Sequence, residues 1–194
     1  MFPATEWLVI AAAYVIGCFT AGYYLVRFLA KKDIHEIGSG NVGARNVSRV
    51  LGSSGFIATL VIDLLKGMAA VWIAQSFEVG PYWLIAAYLA VIAGHIWPVQ
   101  LRFHGGKGIA TAIGVMLMLG PLIMALVIIQ FLCIFAVNRS FTISGLFSIA
   151  ITPFSLLILG QPVVHIVGIA ALAALVLFSH RENLAIRLKK KNPS

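Results

Sequence analysis

Charge is scarce in this chain: Asp, Glu, Lys and Arg together make up 10% of its 194 residues, and only 6 residues are acidic. Soluble domains carry roughly 25% charged residues, so a water-solvated globule is excluded, and a mean hydropathy of +1.00 points the same way. The shortage of carboxylates also argues against a metal centre, because His35, His95, His104, His165 and His180 form no ligand pair at helical spacing. No metal and no other cofactor is expected. Cysteine is nearly absent as well: Cys18 and Cys133 lie inside apolar runs without a CxxC spacing, which excludes a disulfide scaffold and leaves two small buried thiols. There is no GxxxxGK[ST], which removes the P-loop NTPases, and no GxSxG elbow of the soluble hydrolases. No repeat stands out, no soluble appendage is long enough to fold alone, and no nucleic-acid partner is implied.

What is present is apolar length. Residues 7–29, 56–74, 82–99, 109–137 and 146–179 are hydrophobic runs, several of them near or beyond the roughly 20 residues that cross a hydrocarbon core of about 30 Å. The first starts with Glu6 and is followed by Arg27, Lys31 and Lys32, the order of a retained anchor and not of a cleaved leader. The last two runs are too long for single spans. Gly160-Gln161-Pro162 divides one, and Gly120-Pro121 either divides the other or merely kinks it. Loop charge decides between these. With both junctions as turns there are seven crossings, and Arg27, Lys31, Lys32, Arg45, Arg49, Arg102, Lys107, Arg139 and the basic C-terminal residues all fall on one side, while Glu6 and Glu78 fall on the other. The positive-inside rule therefore predicts an all-α integral membrane protein of seven transmembrane helices, N-terminus outside and C-terminus cytoplasmic, as a single polytopic domain over residues 1–194. The expected fourth helix is short for a bilayer.

Three cytoplasmic segments carry more polar chemistry than loops need. In "IGSGNVGARNVSRVLG", Gly38, Gly40 and Gly43 can turn backbone N–H groups toward one centre, Ser39, Asn41 and Asn46 add neutral donors, and Arg45 and Arg49 are four apart. In "GHIWPVQLRFHGGKGIATA", Gly105, Gly106 and Gly108 surround Lys107 at the start of an apolar helix, so N–H groups, helix dipole and ammonium can meet a phosphate. In "FSHRENLAIRL", His180 and Asn183 share a helical face at a membrane boundary. Within an apolar run, Asp63 and Lys66 stand three apart; they either neutralise each other or place Lys66 at the floor of an anion site.

These segments, with "VIDLLKG", resemble in order and over nearly the whole length the signature loops of the bacterial acyl-phosphate:glycerol-3-phosphate acyltransferase family, PlsY. The resemblance is not to the HxxxxD acyltransferases, since no His here is followed five positions later by Asp. It implies a membrane enzyme of the bacterial cytoplasmic membrane, active on the cytoplasmic face. Such an enzyme transfers a fatty acyl group from acyl phosphate to the sn-1 hydroxyl of glycerol 3-phosphate, forming lysophosphatidic acid. By the same resemblance Ser39, Asn41, Asn46, Arg49, Lys107, His180 and Asn183 line the site, with Arg139 and Thr142 in the segment "NRSFTISG" beside them. Three positions depart from the family pattern: Arg45 replaces a threonine, Gly145 and Thr142 stand where serines are usual, and Cys18 replaces another serine.

The residue chemistry suits that reaction without the name. An acyl phosphate is a mixed anhydride with a good leaving group, so the protein needs cations to hold two phosphorylated molecules side by side and a hydroxyl aimed at the carbonyl. Lys107 with the Gly105 to Gly108 N–H groups is expected to hold one phosphate, and Arg49 with the Ser39/Asn41 loop the other. His180 is a general base or a positioning donor. The partners are then acyl phosphate, glycerol 3-phosphate and membrane lipid. The alternatives are a paralogue that acylates another phosphorylated acceptor, and a transporter or flippase for a phosphorylated solute.

Overall fold

The computed structural model describes residues 4–182, and among these there are helices and no strands. Five helical segments are long and apolar enough to cross a membrane by length and composition: Ala4–Ala30, Ala44–Ser76, Pro81–Leu101, Pro121–Asn138 and Phe141–Ile158; Ile109–Leu119 and Val163–Ser179 are shorter apolar helices. Large apolar side chains such as Leu8, Trp72, Val137 and Ile158 are exposed, which in a hydrocarbon solvent is the favourable arrangement. The chain forms two compact units, residues 1–121 and 122–194.

In the first unit α1 (Ala4–Cys18) stops at Phe19, and α2 (Ala21–Leu25) runs into one π-type turn, Val26–Ala30, ended by Lys31 in the left-handed region (φ 54°). A helix that ends at membrane depth must satisfy its last carbonyls without water. Here the last three, and the carbonyl that follows, have donors: Phe19 N–H reaches Ile16 O at 3.2 Å, the Lys66 ammonium donates to Gly17 O (3.0 Å) and Phe19 O (2.9 Å), and Gln100 Nε2 donates to Cys18 O. The helix α3 (Ala44–Ser76) is broken at Gly52 (φ 64°, ψ −156°), a conformation only glycine adopts cheaply. Its 33 residues would span about 50 Å, well beyond a bilayer core, and the break separates a short N-terminal piece from the apolar remainder. The helix α4 (Pro81–Ile96) starts with proline at its first position, and α5 is Ile109–Leu119.

Glycines set the helix contacts. A Cβ on Gly17 would overlap Val91 O and one on Gly94 would overlap Tyr14 O, so α1 and α4 cross backbone to backbone. Gly67 against Thr111 and Gly114 against Leu64 do the same for α3 and α5.

The α5 helix ends where Gly120 adopts φ 142° and Pro121 opens the next helix. The ambiguous junction is therefore a break and not a kink. In the second unit α6 is Pro121–Asn138, α7 Phe141–Ile158 and α8 Val163–Ser179, with Gly160 (φ 63°) in the α7–α8 turn. A half-buried amide and two hydroxyls join α6 to α7: Gln130 Nε2 donates to Ser155 Oγ (2.7 Å), and Thr152 Oγ1 donates to Gln130 Oε1 (3.0 Å).

Candidate functional site

Residues 33–51 look unpromising for burial in sequence, yet a small apolar plug anchors them. Val26, Ile34, Val42 and Val47 are fully buried together, with Tyr23, Ile37 and Leu101 around them. Above this plug the loop is held by its own polar groups. Asn46, buried in the first turn of α3, accepts from Ser39 N–H at Oδ1 (3.1 Å) and donates through Nδ2 to Ile37 O (2.8 Å). Asn41 Oδ1 accepts from Gly43 N–H (2.7 Å), and Gly40 N–H donates to Ile37 O (3.0 Å). The expected cradle of N–H groups is thereby corrected: the amides of Ser39, Gly40 and Gly43 close the loop on itself. Asn46 is its brace. Gly38 (φ 59°) is where the Arg49 side chain crosses, and a Cβ there would overlap Arg49 Nη1. Arg45 and Arg49 are exposed one helical turn apart on α3, and Ser39 is exposed beside them. The cations and hydroxyl of this loop are exposed while Asn46 is buried.

The glycine-lysine segment is built on the end of α4. Arg102 and Phe103 both take left-handed conformations (φ 50° and 64°), which turns the chain back. Gly105 N–H then donates to Ile96 O (3.1 Å) and Gly106 N–H to His95 O (2.9 Å). These two amides complete the C-terminus of α4, so they are not the phosphate donors expected from sequence. Gly106 is required because its Cα rests on the His95 ring, where a Cβ would overlap Nε2. Gly108 (φ 78°) leads into α5 and places half-buried Lys107 at its mouth.

His95 is the residue that sequence reasoning missed. Its Nδ1 lies 2.7 Å from Lys66 Nζ and 3.5 Å from Asp63 Oδ1, and all three side chains are almost completely buried. Lys66 Nζ is 3.1 Å from Asp63 Oδ1. Of the two readings open for Lys66, the structure shows the pairing with Asp63: the ammonium meets that carboxylate, His95 and the carbonyls that end α1. The signal available was the rule that ionisable groups in a membrane pair, and His95 is the nearest ionisable residue in another apolar run.

At the loop Asp33–Gly43, Asp33 caps a short 3₁₀ turn, Ile34–Glu36, by accepting from the His35 N–H (2.9 Å). That bond first, with the His35 ring and the charge of Arg27 adding to it, holds its carboxyl below the ordinary carboxylate range against the opposing effect of burial, which outweighs the ring and Arg27 taken singly. The His35 ring reaches the other segment: Nε2 is 2.9 Å from His104 O. The two glycine-rich loops are therefore joined in space within the first unit.

In the second unit His180 ends α8 and is buried. Its Nδ1 is 2.9 Å from Val176 O and 3.1 Å from Ser179 Oγ; a carbonyl only accepts, so a bond to Val176 O needs the proton on Nδ1. Arg139 (φ 54°) turns the chain between α6 and α7. Asn138 Oδ1 accepts from Ser140 N–H (2.7 Å) and Ser144 Oγ (3.2 Å), and Thr142 lies half-buried in the first turn of α7. Asn183 lies outside the described residues.

A family model described as glycerol-3-phosphate acyltransferase matches residues 7–190. The chain belongs to this family. Among relatives, the family member glycerol-3-phosphate acyltransferase 1 of Desulfitobacterium hafniense (strain Y51) is 40% identical over 96% of this chain and 93% of its own length. The glycerol-3-phosphate acyltransferase of Syntrophomonas wolfei is 37% identical over 92% of this chain and 91% of its own. The crystal structure of PlsY (YgiH), an integral membrane glycerol 3-phosphate acyltransferase, in its glycerol 3-phosphate form, superposes with a TM-score of 0.86 at 32% identity, covering 97% of this chain and 94% of that one. Its lysophosphatidic acid form gives 0.84 at 31% identity.

Proposed function

We propose that this membrane acyltransferase moves a fatty acyl group from acyl phosphate to the sn-1 hydroxyl of glycerol 3-phosphate. The observation that carries the reading is the full-length likeness to a solved family member whose two forms hold glycerol 3-phosphate and lysophosphatidic acid, an acceptor and its acylated product. The joining of the two glycine-rich loops in one unit supports it.

In this reading the acceptor hydroxyl attacks the carbonyl carbon, an ester C–O bond forms, and the bond to the phosphate oxygen breaks. Phosphate leaves as a stable anion, so no covalent enzyme intermediate is needed. Lys107 meets one phosphate, and Arg49 with Arg45, Ser39 and the amide of Asn41 meets the other. The side chains carry these contacts, since the N–H groups of Ser39, Gly40, Gly43, Gly105 and Gly106 are bonded within the protein. His180 is assigned on the family resemblance to take the hydroxyl proton, or to orient that hydroxyl while a substrate phosphate takes it. Asn183, Arg139 and Thr142 are assigned to substrate contact on the family resemblance, and Gly108 to the left-handed step that sets Lys107 just ahead of α5. The whole chain acts as one polytopic domain of seven crossings, N-terminus outside, with these loops facing the cytoplasm from the inner membrane.

The test is to incubate purified protein with labelled glycerol 3-phosphate and acyl phosphate, acyl-CoA or acyl-carrier protein in separate tubes. Lysophosphatidate with acyl phosphate alone is the expected result; product with another donor refutes the donor assignment. Lys107→Met should abolish transfer, at least about 10²-fold, in a protein that still folds. Near-normal turnover there removes Lys107 from the site.

A further inference from the structure

Both ring nitrogens of His35 meet groups that only accept hydrogen bonds. Nδ1 is 2.9 Å from Asp33 Oδ1 and Nε2 is 2.9 Å from the backbone oxygen of His104. A neutral imidazole carries one N–H and can make one of these bonds; an imidazolium carries two and makes both. The ring is partly open to solvent, with 29% of its side chain exposed, so protons exchange freely. His35 lies four residues before Ser39, and His104 three before Lys107. The carbonyl it grips sits just after the left-handed pair Arg102 and Phe103, and the His104 ring is itself turned back onto Arg102 O (2.7 Å).

From this geometry we infer that His35 is a positioning residue that ties the Ser39 loop to the Lys107 loop through a doubly protonated ring, and that the tie opens when the ring loses a proton. The inference rests on the reading of those two loops as phosphate-binding. Asp33 is an anion and the stronger acceptor, so the remaining proton of a neutral ring stays on Nδ1. Nε2 then turns a lone pair toward the lone pairs of His104 O, and contact becomes repulsion. The other titratable or charged groups around the ring are Tyr23 of α2, whose ring centroid is 5.7 Å away, Arg27 of the π turn, which acts on Asp33, the His104 imidazole, and Glu36 on the same 3₁₀ turn. Loosening the tie separates two cations that must hold two anions in register, so substrate affinity falls before the chemical step does.

The experiment measures KM and kcat of the full-length enzyme for both substrates from about pH 6 to about pH 8.5, in wild type, His35→Arg and His35→Phe. Arginine offers two donors at every pH in that range, and phenylalanine none. Ionisation of the substrates and of His180 is common to all three proteins and cancels in the ratios. For at least one substrate, KM of wild type relative to His35→Arg should rise about fivefold across the range, with kcat changing less than about twofold. His35→Phe should show the high-pH wild-type KM throughout. A wild-type to His35→Arg ratio that does not change with pH overturns the proposal, as does a His35→Phe enzyme indistinguishable from wild type at low pH. If His35→Arg does not accumulate, the ratio of His35→Phe to wild type serves alone: about fivefold at low pH and near one at high pH supports the tie, and a constant ratio refutes it. Amide exchange at residues 101–106 without substrate separates the two layers of argument. Protection that falls with pH in wild type but not in His35→Arg, accompanied by constant KM values, overturns the positioning role and the phosphate reading of the loops together. Unchanged protection overturns the tie itself.

Discussion

Asp33 shows how one carboxylate makes a loop dependent on acid. Its pKa is depressed because the His35 N–H, the His35 ring and Arg27 favour the charged form. A depressed pKa in the folded state contributes stability that is complete above the unfolded value of about 3.9 and is lost as pH falls through the folded value. Thermal melts of wild type should therefore drop more steeply below about pH 4 than melts of Asp33→Asn, which has no such proton to take up. Equal slopes would mean that the cap is not formed in solution. Single residues were legible in proportion to how far their chemistry was local. Arg45 and Arg49 stand outward one turn apart on α3 as their spacing required. The glycine amides were misread, because whether an N–H is spent on a neighbouring carbonyl depends on where the chain turns, and the turn at Arg102 and Phe103 uses left-handed residues that no glycine announces.

At the scale of the element, glycines divide by what a methyl group would meet. In Gly106→Ala the new Cβ overlaps a His95 ring already fixed by Lys66, so the loop must move. Activity should fall at least about tenfold with a lowered melting temperature. Gly145 lies inside α7 with nothing within 4 Å of its would-be Cβ. Gly145→Ala should be neutral or stabilise by about 0.5–1 kcal/mol, since alanine loses less freedom in a helix; a clear loss of stability would show an unrecognised neighbour. Helix ends followed from sequence where glycine and proline stand together, as at Gly120-Pro121 and Gly160-Gln161-Pro162. The end of α1 did not. Nothing in "GCFTAG" forces a break, and its carbonyls are satisfied by Lys66 and Gln100, which arrive from elsewhere in the chain.

Across the whole molecule the family and the helical membrane architecture were readable from apolar length, loop charge and four short motifs, because a bilayer leaves few other solutions. The pairing of Asp63 with Lys66 was one of two readings their spacing allowed, but the third member of that buried cluster, His95, was not legible, since it comes from a different helix. The cluster makes a distinctive prediction. Lys66→Met removes the ammonium from Asp63, leaving it only His95 at 3.5 Å, and takes the lysine donor from two carbonyls, a change expected to cost about 3–5 kcal/mol. Adding Asp63→Asn removes the stranded charge, so the double variant should be more stable than Lys66→Met alone. Additive losses would show that the pair is not coupled.

The break at Gly52 uncouples two requirements that a straight α3 would impose together. The piece that carries Arg45 and Arg49 need not tilt when the apolar remainder of the helix tilts to match its lipid. An enzyme that makes the precursor of its own solvent can in this way keep the charges of Arg45 and Arg49 level while the thickness of the bilayer around it changes with the acyl chains it installs.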